Sequence, residues 1–430
     1  MKITFIGAGS TVFARNVIGD CILTPELGAF EVCLFDIDPV RLDDSYQILN
    51  NINKTMNGKA TIKKTMDRKE AFTGADFAIN AIQVGGYDPC TITDFEIPKK
   101  YGLKQTIADT LGIGGIFRSL RTIPVMKMYA EDMEKYCPNV VFLNYTNPMA
   151  ILTGYIQRFS KIKTVGLCHS VQGCVPHLFN ILGMQEYHDD VLWEIAGINH
   201  QAWLLKVTDR NGNDLYPEIK KRALNCEHDL VRLEFMKQFG YYVTESSEHN
   251  AEYTPWFIKD KYPELIERFR IPIDEYPRRC INQIADWNKM REGLLNESNI
   301  EHNKTHEYAS YIIKSVFTDT PFRMHGNVLN TGIITNLPRN ACVEVPCMID
   351  GNGINPCYVG DLPEQCAAVN RTNINVQLLT IKAAETLKKE YIYMAAMLDP
   401  HTSSELSIDD IRSMCDELIE AHGDWLPKFN

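Results

Sequence analysis

Two side chains of this 430-residue chain have the chemistry to hold a metal ion. Cys168 lies in the run Gly166-Leu-Cys168-His169-Ser170-Val171-Gln172, and His200 closes Gly197-Ile198-Asn199-His200. Thiolate and neutral imidazole are both good ligands, and a separation of about thirty residues excludes a compact zinc-finger loop. Cys357 and Cys366 come near one another, but not at the spacing of a structural zinc pair. Two ligands with positions left open suit a catalytic ion that takes substrate oxygens. From spacing alone, the plainer alternative is a packed thiol and a hydrogen-bonded core imidazole.

A second constellation opens the chain: Lys2-Ile-Thr-Phe-Ile-Gly7-Ala-Gly9-Ser10-Thr11-Val12-Phe13. Residues 2–6 read as a buried strand, Gly7 and Gly9 as a tight turn, and residues 13–23 as a helix. Backbone N–H groups around Gly7, Gly9, Ser10 and Thr11 can then receive a pyrophosphate at the helix N-terminus. Val12 stands where the usual fingerprint has its third glycine. The next strand, Val32 to Asp36, ends in an acid placed to accept from a ribose 2′-hydroxyl. A 2′-phosphate would be repelled there, so the pattern favours NAD over NADP.

The elements that must position these groups alternate through the first half. Apolar runs at 60–65, 76–82, 139–144, 163–168 and 191–196 read as strands separated by helices, which predicts a mostly parallel, doubly wound sheet. Ligands of such sheets gather at the carboxyl ends of the strands, where Gln83-Val-Gly85-Gly86, Asn144-Tyr-Thr-Asn147-Pro148 and Cys168-His169-Ser170 all fall. Asn147 reads either as the N-cap of the helix begun by Pro148 or as a substrate contact. The loop Thr106-Ile-Ala-Asp109-Thr-Leu-Gly112 opens a long helix to about Tyr136, and Asp109 is either a helix-side cap or a catalytic carboxylate. After residue 200 the pattern changes to longer helices and short strands such as 332–335 and 342–346. We therefore expect a Rossmann-like α/β unit over 1–196 and a closely packed α+β substrate and oligomerisation unit over 197–430.

Composition narrows the function classes. A net charge of −11 and the lack of basic runs exclude a nucleic-acid footprint. No apolar run reaches bilayer length, and the first strand begins at the N-terminus, so a cytoplasmic protein without a membrane partner is expected. Thirteen scattered cysteines fit a reducing compartment, most of them as small buried hydrophobes.

With these residues in hand, the chain resembles glycoside hydrolase family 4, the NAD- and manganese-dependent glycosidases. Gly7-Ala-Gly9-Ser10, Asp36-Ile-Asp38, Asn144-Tyr-Thr-Asn147-Pro148, Cys168-His169-Ser170-Val171 and Gly197-Ile-Asn199-His200 carry the resemblance. Glu245-Ser-Ser-Glu248-His249-Asn-Ala-Glu252-Tyr253-Thr-Pro255-Trp256, Glu344-Val-Pro346 and His422-Gly-Asp-Trp425 are similar to its α-galactosidase branch. His169 after the cysteine speaks against the 6-phosphosugar branch.

The resemblance implies Mn²⁺ on Cys168 and His200, and NAD⁺ oxidation of the sugar at C3. Deprotonation at C2, elimination, water addition and return of the hydride follow, a departure from two-carboxylate hydrolysis. It points to Tyr253 as base, with Tyr241 or Tyr242 as fallbacks, its phenol acidified by the neighbouring cation. It leaves the proton donor open between His169 and Asp109, and gives Asn147 and His169 sugar hydroxyls to bind. Rivals in the family are α-glucosidase, α-galacturonidase and α-glucuronidase; a carboxylate-bearing sugar would call on a basic residue such as Arg118 or Arg323. Outside it stand an NAD-dependent 2-hydroxyacid dehydrogenase and a non-catalytic NAD sensor. A homodimer or homotetramer is expected.

Overall fold

β-Branched and aromatic runs build the first six strands of the computed structural model, which describes all 430 residues. They are β1 (Lys2–Ile6), β2 (Phe30–Phe35), β3 (Ala60–Thr65), β4 (Phe77–Asn80), β5 (Val141–Asn144) and β6 (Lys163–Gly166). Their order is β3-β2-β1-β4-β5-β6, with every neighbouring pair parallel. Period-two alternation sends Ile3, Phe5, Ile79 and Leu143 into one core and Ile6, Ala78 and Phe142 into another. Both faces are thus covered, as a parallel sheet requires. This is the Rossmann-like order, and the reversal between β1 and β4 opens a crevice at the carboxyl ends.

Beyond β6 the sheet changes character without breaking. It continues through β7 (Val191–Ile198), β8 (Gln201–Asp209), β9 (Tyr242–Val243), β10 (Phe322–Leu329), β11 (Cys342–Asp350) and β12 (Gly353–Pro356). β10 joins β6 antiparallel, and the order runs on as β11-β7-β8-β9 with β12 beside β11, twelve strands in one sheet. The strand expected at 191–196 is therefore not another parallel member. A two-residue turn, Asn199-His200, returns the chain directly, and so short a connection permits only an antiparallel neighbour. The division expected at 196/197 falls inside β7. Residues 332–335 form no strand; Asn330 Nδ2 donates to the carbonyls of Ile334, Leu337 and Pro338 and folds that stretch into a loop.

The long helix from Gly112 to Tyr136 lies where the glycine-rich loop predicts it, and Ile113, Phe117 and Leu120 share a core with Val376, Ala383 and Leu418 of the second half. All thirteen cysteines are free and most are buried; Cys168, Cys226 and Cys357 are the partly exposed ones. No helix is long and apolar enough to cross a membrane.

Candidate active site

The turn that reverses β7 into β8 puts His200 at φ +63°, a left-handed conformation that non-glycine residues rarely hold. Cys168 follows β6, and Glu245, also left-handed at φ +70°, follows β9. Three distant segments so bring the cysteine sulfur, an imidazole nitrogen and a carboxylate oxygen within 4.8 Å of one another. Strain at two of the three positions marks a site held in place by its surroundings. Glu245 was not among the ligands expected from the sequence.

His200 uses its two nitrogens differently. Nδ1 lies 3.1 Å from the Tyr253 hydroxyl, while Nε2 faces Glu245 at 4.0 Å. Burial disfavours charge on this ring, yet Cys168, Glu245 and Asp109 push its pKa up to about 10. A set of side chains that favours positive charge on a buried imidazole fits a divalent cation, which would compete with the proton for the same nitrogen. The thiolate–imidazole–carboxylate set leaves open positions, as in catalytic sites.

Tyr253 is wholly buried. Burial, then the carboxylates of Asp109, Glu252 and Glu245, hold its phenol well above its usual pKa. The protein's own groups thus act opposite to the acidification expected, which has to come from a bound cation. The fallback tyrosines are occupied elsewhere: the Tyr242 hydroxyl donates to Asp229 beneath Arg232, and Tyr241 packs edge-on against Tyr216.

Asp109 is near enough to raise the Tyr253 pKa because Glu252, the last residue of the helix Ser247–Glu252, fixes the loop that carries it. The Glu252 carboxylate accepts from the N–H groups of Thr106 at 2.8 Å, Ile107 at 3.3 Å and Ala108 at 2.8 Å, with Ala108 held at φ +51°. Leu111, not Asp109, occupies the N-cap of the long helix. Asp109 accepts from the Thr110 hydroxyl at 2.7 Å and from Asn147 Nδ2 at 3.4 Å. Burial raises its pKa, but Arg118, His249 and His200 outweigh that and hold it below the usual carboxylate range.

Asn147 is not the expected helix cap. Pro148 takes that position without a side-chain bond, and Asn147 Oδ1 is buried with no partner, which leaves it for a ligand. Arg118 donates to the Asn147 carbonyl at 3.2 Å and to the Tyr276 hydroxyl at 3.1 Å. Arg323 donates instead to the Trp193 carbonyl at an exposed position. His169 stacks between Tyr145 and Tyr308, with Nε2 2.9 Å from Glu307. That hydrogen bond raises its pKa against the opposing effect of burial.

At the other end of the crevice the backbone fits a dinucleotide. Gly7 sits at φ +81°, and a Cβ there would meet the Ala81 carbonyl at 2.8 Å. Gly9 N–H donates to Asp36 at 2.6 Å, and the helix from Thr11 starts with neither a side-chain cap nor an acid in its first turn. Its amides are free to face phosphate oxygens. Ser10 is partly exposed, whereas the buried Thr11 hydroxyl already accepts from Ser45, leaving only its backbone N–H.

Sequence reasoning missed four contributors: Glu245, His249, Glu252 and Glu307. Three lie within the stretch 245–253 that carried the resemblance, but nothing in their spacing says which faces the ion. Glu307, in contrast, follows an irregular segment with no local pattern.

The chain matches the model described as family 4 glycosyl hydrolase over residues 2–184 and that of the family's C-terminal domain over 195–402. It is 61% identical to an α-galactosidase of Bacillus subtilis (strain 168), covering 100% of this chain and 99% of that protein. It is 33% identical to an α-galactosidase of Rhizobium meliloti (strain 1021), covering 100% and 89%. A 6-phospho-beta glucosidase from Thermotoga maritima, solved with manganese, NAD⁺ and glucose-6-phosphate, shares the fold with a TM-score of 0.82 at 21% identity over 100% of both chains. This chain belongs to glycosyl hydrolase family 4.

Proposed function

We propose that the protein is an α-galactosidase that removes terminal α-D-galactosyl groups from melibiose-like substrates with NAD⁺ and Mn²⁺. The observation that carries it is the contact of Tyr253 with His200 inside a ring formed by Cys168, Glu245 and Asp109. The galactoside follows from the B. subtilis relative and from His169 in the position after the cysteine.

Cys168, His200 and Glu245 would hold the divalent ion, and the Gly7–Thr11 turn with Asp36 the dinucleotide. When bound, NAD⁺ supplies a hydride acceptor for sugar C3 and the ion supplies the Lewis acidity that makes a C2 proton removable. Tyr253 takes that proton. His200 would hold the ion with Nε2, the nitrogen on the Glu245 side, which would leave Nδ1–H, 3.1 Å from the Tyr253 oxygen, to donate to the phenolate. Ionised Asp109 raises the proton affinity of that phenolate, so it strengthens the base rather than donating a proton. His169, positioned by Glu307 and half-exposed to the cleft, delivers the proton to the glycosidic oxygen. Asn147 Oδ1 receives a sugar hydroxyl, and the loop held by Glu252 keeps water from the base.

The nucleotide unit of residues 1–196 and the substrate unit of 197–430 act across one sheet. We place the protein in the cytoplasm, where a ligating thiol stays reduced. A homodimer or homotetramer is supported by the helix Glu275–Asn296, which buries only Cys280 and exposes Ile281, Ile284 and Met290. Light scattering tests that association.

The test of activity is a panel of 4-nitrophenyl α-glycosides given NAD⁺, Mn²⁺ and a thiol reductant. Release from the α-galactoside, dependent on all three additions and without accumulation of NADH, is expected. Preferential cleavage of the α-glucoside or a uronide would refute the sugar assignment; accumulating NADH without glycoside cleavage would indicate a dehydrogenase.

A further inference from the structure

We propose that the cleft running outward from His169 and Glu245 is the aglycone subsite, built for a neutral hexose or short oligosaccharide leaving group. The proposal rests on the glycosidase assignment above. The cleft encloses about 590 Å³, within the roughly 300–1,000 Å³ range of small-molecule sites. No residue before His169 lines it, so it opens away from the strands and turn that face the dinucleotide. The bond order of the substrate gives that direction a meaning. A sugar with C3 toward the nicotinamide and C2 at Tyr253 carries its C1 substituent onward past His169, into this cleft.

The lining is polar where a sugar needs partners. Ser170 lines the cleft, and its hydroxyl is buried beside it without a hydrogen-bond partner. His177 is half-exposed; its nearest carboxylate, Asp229, lies 3.8 Å away. Burial and Arg232 lower its pKa, so the neutral ring offers one donor and one acceptor to hydroxyl groups. Phe269 supplies an apolar wall.

The charges favour a neutral guest. Arg232 donates to Asp229 at 2.8 Å and Arg270 to Glu227 at 3.2 Å, so both guanidinium groups that line the cleft are already paired. Glu248 is paired in turn with Arg279 at 3.3 Å, and Glu245 belongs to the metal-holding set. A phosphorylated or carboxylated aglycone would find no unpaired guanidinium or ammonium group in this lining to offset the loss of its hydration.

Three substrates and two variants test the subsite. The kcat/KM for galactosyl-α-(1→6)-glucose, for the same disaccharide phosphorylated on its glucose, and for α-galactosyl fluoride would be measured for the native enzyme, His177→Ala and Ser170→Ala. The fluoride has no sugar aglycone to place in the cleft. Each variant should lose about five- to tenfold more on the neutral disaccharide than on the fluoride, as expected for one hydrogen bond. Free glucose should inhibit fluoride turnover, with a correspondingly weaker inhibition constant in both variants, and the phosphorylated disaccharide should be the poorer substrate of the native enzyme. His177→Gln should recover part of the lost ratio, which a purely structural role would not do. Equal losses on disaccharide and fluoride, or preference for the phosphorylated disaccharide, would overturn the subsite alone. A native enzyme inert toward all three would refute the glycosidase assignment and the subsite with it.

Discussion

The nucleotide turn and the Cys168–His200 centre sit on one crevice but are built in opposite ways. The nucleotide site is built from one contiguous stretch, a glycine turn whose own amides bond within the protein and the uncapped first turn of the helix from Thr11, with Asp36 as the single distant side chain. The metal centre gathers side chains that follow β6, β7 and β9, two of them in left-handed conformations. A backbone site tolerates most side-chain changes so long as its glycines remain. A convergent site depends on each contributor and on what holds that contributor in place.

Substitutions in the two regions should therefore differ in size and in what they disturb. Cys168→Ser should lower kcat/KM by roughly a thousandfold or more, since a metal's Lewis acidity amounts to several kcal/mol. NAD affinity measured by nucleotide fluorescence should stay within about twofold, a negligible change in free energy; a comparable loss of NAD binding would show that the two regions are not separable. Tyr253→Phe should cost roughly a hundred- to a thousandfold in kcat, in the range of general base catalysis. It should also abolish exchange of the C2 hydrogen with deuterated solvent; persistent exchange would assign the base elsewhere.

Glu245→Gln is the sharper probe of convergence. It should weaken Mn²⁺ binding by at least about ten- to a hundredfold, the loss that removal of even a group behind a ligand causes, with saturating Mn²⁺ restoring most activity. Unchanged affinity by calorimetry would leave the ion to Cys168 and His200 alone. In the nucleotide turn, Gly9→Ala places a Cβ 2.9 Å from the Asp36 carboxylate. Overpacking of that kind should weaken NAD about tenfold and leave Mn²⁺ affinity intact.

The same contrast explains what could be read from the chain before folding. The turn, its helix and Asp36 were legible because contiguous residues encode them, and the six parallel strands because their apolar runs are bounded by turns. Cys168 and His200 were visible as residue types, but their meeting depends on a change from parallel to antiparallel pairing that no local pattern announces. Glu245 and Glu252 look alike in sequence, yet one faces His200 and the other binds three backbone amides. Asn147 reads either as a cap beside Pro148 or as a substrate contact, and its tertiary contacts with Asp109 and Arg118 exclude the first. The acidification expected of Tyr253 could not be judged without the ring of carboxylates that folding places around it.

Cobalt substitution tests the centre most directly. Co²⁺ added to the reduced protein should produce a near-ultraviolet thiolate-to-cobalt charge-transfer band, at a stoichiometry of one ion per chain, that disappears in Cys168→Ser and weakens in His200→Asn. Tight cobalt binding without that band, or a band indifferent to Cys168, would contradict a metal centre formed by these side chains.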